Sequence, residues 1–348
     1  MPRNQNNAAL SSSVETVASA CRRHGFNLID ATMKYDIPLD VDGPDPFATI
    51  APVGGHYVMV TLGNRLELMH VADLTDPKSW ANAERRTLWK MAGKPAPDDG
   101  VGSDIWAPEL HRFHGRWWVY FTGNTPDQHD FNRRVYALKG PPEHDDPMTG
   151  EWSFAGKVKL PSDLYTIDLT LLQVPNGKAY FIWSSKRPMD GWHYQHLVIC
   201  EALDPLTGGP RETVISSPLA EWERHDHPVN EGPQYLTRGN DLWLGFSASA
   251  YWTDHYAVGF LHARLDADLL DPASWKKFDH PFFSQMPEKN VYGPGHASFV
   301  KPAAGASDDD WWFLYHARST AQAGHGVPRV PHLRPVRFAP DGTPILAD

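Results

Sequence analysis

Three carboxylates stand at the heads of apolar runs spaced evenly along the chain. Asp45 opens DPFATIAPVGGHYVMVTL, Asp168 opens DLTLLQVPNGKAYFIWSS and Glu231 opens EGPQYLTRGNDLWLGFSA. Trp106 and His296 open two further runs of the same kind, WAPELHRFHGRWWVYFTG and HASFVKPAAGASDDDWWFLYHA. Three carboxylates brought into one confined space cannot all ionise at their ordinary values, because nearby like charges drive proton uptake upward. An acid held protonated near neutrality, beside a base kept ionised, suits hydrolysis of a glycosidic bond. One group protonates the leaving oxygen; the other activates water or attacks the sugar. Groups facing each other across a channel would be well separated, which fits the roughly 6.5–9.5 Å of an inverting pair better than the ~5 Å of a retaining one.

The elements that would bring them together are legible in the spacing. The five openers, at 45, 106, 168, 231 and 296, lie 61, 62, 63 and 65 positions apart. Each is followed by a short strand-like run, a Gly-containing turn and a run of aromatic and β-branched residues, the pattern of a β-hairpin. A repeat near sixty residues with several strands per unit predicts an all-β, five-bladed β-propeller with larger blades than the commoner repeats. If the openers start the innermost strands, all five meet at one end of the central channel.

Residues 1–25 read as an N-terminal extension, with a short helix over Ser13–His24 that places Val14, Val17 and Cys21 on one face. The propeller is expected over 26–348. The run DLTDPKSW at 73–80, after the first blade, has a near-copy in DPASW at 271–275, after the fourth. The last segment, LRPVRFAPDGTPIL, reads as a hairpin that completes the blade begun near the N-terminus and closes the ring.

The 348 residues carry a formal charge of −10 with acids and bases interspersed, which argues against a nucleic-acid surface. Fourteen Trp, roughly three times the ordinary share, can serve sugar faces or fill blades. Cys21 and Cys200 have no metal-ligand spacing and read as free thiols. No stretch is apolar enough to span a membrane. No signal-peptide core is visible, so the expected location is cytoplasmic; secretion would require a leader outside this sequence.

Over about residues 40–345 the chain resembles glycoside hydrolase family 43. The motifs are PDPF at 44–47, SDIWAPELH at 103–111, IDLTLL at 167–172, NEGPQYL at 230–236, VYGPGHASF at 291–299 and YHAR at 315–318. The resemblance implies a five-bladed propeller and hydrolysis by single displacement with inversion. By motif, Asp45 is the general base, Asp168 the carboxylate that tunes the acid, and Glu231 the general acid. Asp42, three residues before Asp45, is the competitor for the base. Trp106, Ser247, His296 and Arg329 are the expected sugar contacts, with Arg318 the other arginine considered and Glu109 in a supporting role. The resemblance also places one cation, calcium or sodium, beside His296 in the channel, mostly water-coordinated because calcium prefers oxygen; no organic cofactor is implied.

The segments ISSPLAEWERHDHPVNEGPQ, FSASAYW and YGPGH are most similar to the family's exo-α-L-arabinofuranosidase branch, which releases terminal arabinofuranose from arabino-oligosaccharides or substituted hemicellulose. A β-xylosidase or related exo-glycosidase is the alternative within the class. A propeller that binds sugar without chemistry is the alternative outside it, and it would have no need of three carboxylates. The segments after Asp45 and within IDLTLL depart from the family's usual aromatic pattern, so the sugar pocket is expected to differ in shape.

Overall fold

The computed structural model describes residues 37–38, 43–91, 100–127 and 129–346. The N-terminal extension with its expected helix, Cys21 and Asp42 lie outside the described residues.

The described chain folds as five antiparallel sheets, the five-bladed propeller the repeat calls for. A two-residue strand, β1 (Ile37–Pro38), precedes the first blade. That blade is β2 (Phe47–Ile50), β3 (His56–Met59), β4 (Arg65–Val71) and β5 (Glu84–Lys90). The second is β6 (Ser103–Phe113), β7 (Arg116–Asn124), β8 (Arg133–Pro142) and β9 (Ser153–Lys157). The third is β10 (Thr166–Gln173), β11 (Ala179–Lys186), β12 (Gln195–Asp204) and β13 (Thr207–Ser216). The fourth is β14 (Asn230–Arg238), β15 (Asp241–Ala248), β16 (Ala257–Arg264) and β17 (Lys276–Lys277). The fifth is β18 (Tyr292–Val300), β19 (Trp311–Arg318) and β20 (Val330–Phe338), with β21 (Pro344–Leu346) paired to β20 as a hairpin. The ring closes in the opposite sense from that expected. The N-terminal β1 joins the last blade, Ile37 opposite Leu333 and Pro38 opposite His332.

Why these strands stack radially is visible in the burial. Alternate residues of each strand point to opposite faces, and both faces of a blade must be covered by its neighbours. The apolar clusters accordingly sit between blades. Tyr57, Met59 and Leu68 of the first pack on Trp117, Val119 and Phe121 of the second. Leu172, Ile182 and Ile199 of the third meet Leu242, Leu244 and Phe246 of the fourth. Most of the aromatic surplus is spent here.

The two copies, DPKSW at 76–80 and DPASW at 271–275, make similar capped turns, but inside blades rather than between them. Each joins the third strand of its blade to the fourth. In the first copy Asp76 caps the only α-helix among the described residues, Pro77–Ala81. In the second, Asp271 caps a single 3₁₀ turn. In both, the buried indole donates to the carbonyl six residues back, Trp80 to Leu74 and Trp275 to Leu269, at 3.0 Å.

Candidate active site

A positive backbone φ stands at the head of the inner strand in every blade, with a further one at Asp104 in β6 and at Gly293 in β18. The five equivalent residues are Asp45 (58°), Ala107 (42°), Asp168 (55°), Gly232 (55°) and His296 (43°). Four of these fall at register shifts, where an extra residue bulges the strand. The left-handed conformation strains a side-chain-bearing residue. It aims Asp45, Asp168 and His296 at the channel mouth. Trp106 and Glu231, which the spacing treats as equivalent openers, instead stand one residue before the bulge in their blades. They reach the cavity from a different backbone position, and Gly232 frees the turn behind Glu231.

Each of these residues is latched to the preceding blade. The Ala107 amide donates to Thr61 Oγ1 (2.7 Å), Asp168 to Thr122 Oγ1 (3.0 Å), His296 to Ser247 Oγ (2.7 Å) and Asp45 to His316 Nδ1 (3.0 Å). At the remaining junction the Gly232 amide donates to Asp168 Oδ2 (3.1 Å), while the Ser184 hydroxyl donates to the Asn230 carbonyl (2.8 Å). The fold thus sets the mutual positions of the carboxylates through hydrogen bonds between blades. Ser247 belongs to this ring and not to the sugar-facing wall. It is fully buried, does not line the cavity, and spends its hydroxyl on His296.

The cavity has a volume of about 440 Å³ and is lined by Asp45, Asp168, Glu231, Trp106, His296 and Arg329, with Tyr165, Lys186, Gln195, His227, Ser249, Tyr251, Trp252 and His325 around them. That lies within the size range of small-ligand sites. All three carboxylates therefore meet, as do Trp106, His296 and Arg329. Glu109 lies away from this cavity, buried against His111 (2.7 Å) and Gln234 (2.6 Å), in keeping with a supporting role. Arg318 is buried and pairs with Asp254 and the Trp252 carbonyl, so it is structural.

The electrostatics separate the carboxylates. Burial alone would push Asp45 up. Arg329, whose NH1 donates to Asp45 Oδ1 at 3.0 Å, overrides it, helped by His296 and His316, and holds Asp45 well below the usual carboxylate range. Asp168 is pushed up to about 7 by burial, with Glu231 and Asp45 adding to it against His296 and the Gly232 amide. Glu231 is raised by burial and by Asp45, against the pull of His296, Tyr256 and Gln195. Asp168 and Glu231 are near enough to titrate as a pair. One carboxylate is thus held toward the ionised form and the other two toward the protonated form.

His296, beside which the resemblance places a cation, sits among the three carboxylates. Its Nδ1 lies 3.4 Å from Asp45 Oδ1. Burial draws its pKa down, but Asp45, Asp168 and Glu231 outweigh that and raise it. Calcium prefers several oxygens, so an ion beside this imidazole would draw most of its ligands from water. Among the described residues no group of three or more His, Cys, Asp or Glu is placed to hold an ion.

Four contributors are not among the expected site residues. Tyr256 donates to Glu231 Oε1 (2.8 Å) and Gln195 to Glu231 Oε2 (3.2 Å). His316, in YHAR, holds the Asp45 amide. Arg133 stacks its guanidinium 3.4 Å from the centre of the Trp106 ring, fixing one face of it. His316 and the rim pair Tyr251–Trp252 lie in segments already conspicuous in sequence; Tyr256, Gln195 and Arg133 do not.

Residues 35–344 match the family model for glycosyl hydrolases family 43. The chain belongs to that family. Among its relatives is an extracellular exo-α-(1→5)-L-arabinofuranosidase of Streptomyces avermitilis, 33% identical over 322 residues, covering 90% of this chain and 63% of that protein. An α-L-arabinofuranosidase 43 of Humicola insolens is 35% identical over 252 residues, 70% of this chain and 50% of its own. This chain therefore spans about half to two thirds of the length of these relatives. Among solved structures, an α-L-arabinofuranosidase from Lactobacillus brevis superposes with a TM-score of 0.79 at 30% identity, covering 89% of this chain and 95% of that one.

Proposed function

We propose that the protein is an exo-acting α-L-arabinofuranosidase that hydrolyses terminal arabinofuranose with inversion. The observation that carries the reading is the opposed tuning of carboxylates in one cavity. Asp45 is held ionised by Arg329, His296 and His316, whereas Glu231 and Asp168 are held toward the protonated form. Pairs of titratable groups pushed apart by their surroundings mark acid and base. Asp45 takes a proton from water as it attacks the anomeric carbon. Glu231 gives its proton to the departing oxygen. Asp168 touches neither atom; buried beside Glu231, it keeps that proton in place by like charge.

The choice of sugar rests on the relatives. Those at 33–35% identity carry arabinofuranosidase names, while the one named a putative β-xylosidase, from Escherichia coli, is 23% identical. A panel of nitrophenyl glycosides tests this. The expected result is cleavage of the α-L-arabinofuranoside well above the β-xyloside; activity on β-xyloside with silence on arabinofuranoside would reverse it.

Two of the relatives, from Streptomyces, are named extracellular, which runs against the cytoplasmic placement expected from the sequence. Among the described residues no helix is long and apolar enough to cross a membrane.

A further inference from the structure

The YGPGH motif contains a glycine, Gly295, that the carboxylate chemistry does not explain. A Cβ there would run into the ring of Tyr256. Tyr256, just before β16, is fully buried and lies parallel to the His316 ring, 5.8 Å between centres at 9°. Gly295 and His316 face each other across β18 and β19. The fifth blade therefore clears a slot for the Tyr256 ring and backs it with the imidazole that holds the Asp45 amide. The slot brings the phenol to one oxygen of Glu231.

We propose that Tyr256 is a positioning residue for the acid: its hydroxyl fixes Glu231 Oε1 as an acceptor, so that the transferable proton rides on Oε2, and it steadies the carboxylate left when that proton has gone. This rests on Glu231 being the acid of the proposed reaction. The two hydrogen bonds on Glu231 differ in donor and in length. The phenol bond to Oε1 is 2.8 Å, an ordinary length for O–H···O, and the Gln195 bond to Oε2 is 3.2 Å, at the long end for N–H···O, so Oε1 has the closer donor and Oε2 is the oxygen left to carry the proton in this proposal. Gln195 Nε2 also reaches Ser184 Oγ at 3.3 Å, which sets its amide. When Oε2–H passes its proton to the glycosidic oxygen, the C–O bond breaks with its electron pair going to that oxygen. Glu231 becomes a carboxylate with a donor on each oxygen, and bonds to a charged acceptor are the stronger kind.

The phenol cannot itself supply the proton. Burial and then Glu231 and Asp45 raise it well above its ordinary range, so it stays a donor throughout. The other titratable groups facing Glu231 are His296 from the fifth blade, Asp45 from the first, Asp168 from the third and Tyr251 from the fourth.

The test compares α-1,5-arabinobiose with dinitrophenyl α-L-arabinofuranoside, whose leaving group needs no proton. Tyr256→Phe removes one hydroxyl and keeps the ring in its slot. The expected result is a loss of about tenfold in kcat on arabinobiose, little loss on the dinitrophenyl substrate, and an alkaline limb of kcat/KM about one pH unit higher, because the proton is held more tightly. Fluorinated tyrosine at 256, a stronger donor of the same shape, should move that limb down. Equal losses on both substrates with a static limb would overturn the proposal, as would a fluorinated tyrosine that leaves the limb in place if Tyr256→Phe does not fold. Glu231→Gln, measured on the same substrates, separates this from the parent reading. If its loss on arabinobiose is not recovered with the dinitrophenyl substrate, Glu231 is not the acid. If it is recovered and Tyr256→Phe loses equally on both, only the role of Tyr256 fails.

Discussion

At the scale of single residues, the division of labour comes from partners rather than from residue type. Asp45 and Asp168 are both aspartates, both nearly inaccessible at 8% and 4% exposure, and both on left-handed backbone. What separates them is a guanidinium. Arg329 reaches Asp45 and holds it ionised; Asp168 has only the Gly232 amide and the shared field of His296. A base must be ionised to act, so a lowered pKa keeps activity as pH falls. Replacing Arg329 with Met removes the first of the lowering influences on Asp45. The acid limb of kcat/KM should therefore move to higher pH, whatever happens to the overall level. A limb that stays in place would mean that Arg329 serves the sugar alone. If Glu231 is the acid as proposed, the alkaline limb in the intact protein is expected above the ordinary carboxylate range, because burial raises both Asp168 and Glu231.

At the scale of elements, the site depends on a repeated device: a left-handed residue at the head of each inner strand, at a bulge in four of the five, and a latch to the blade before it. The sequence shows the period but not the bulge, because an extra residue in a strand leaves no compositional mark. For that reason the spacing aligns Trp106 and Glu231 with Asp45, Asp168 and His296, while the backbone aligns Ala107 and Gly232 with them. The same blindness places Ser247 against the sugar. A serine two residues from the rim looks like a sugar contact until the pairing of β14 and β15 puts it opposite Glu231 and beneath His296. Ser247→Ala would leave the His296 amide buried and unpaired, at a cost of about 1–3 kcal/mol. Lower thermal stability together with reduced kcat is the expected result. Unchanged stability with only a raised KM would return Ser247 to the sugar-facing wall.

At the scale of the whole molecule, the propeller was legible because every blade repeats hairpin, Gly turn and aromatic strand at a fixed period. The three carboxylates were legible because each heads a blade. What could not be read was contact across blades. His316 meets the Asp45 amide over a separation of 271 residues, and Arg329 meets its carboxylate over 284. Such contacts exist only once β1 has paired with β20 and the ring is closed. Tyr256 has no motif at all; its role follows from the slot that Gly295 and His316 leave for it. The closed ring gathers residues from all five blades round one cavity, and the account stands on what that arrangement does to the anomeric carbon. In the proposed reaction, water activated by Asp45 attacks from the side opposite the oxygen protonated by Glu231. Proton NMR of nitrophenyl α-L-arabinofuranoside hydrolysis, followed from the first turnovers, tests this directly. The account predicts that β-L-arabinofuranose appears first and then mutarotates; α-L-arabinofuranose appearing first would show retention and contradict it.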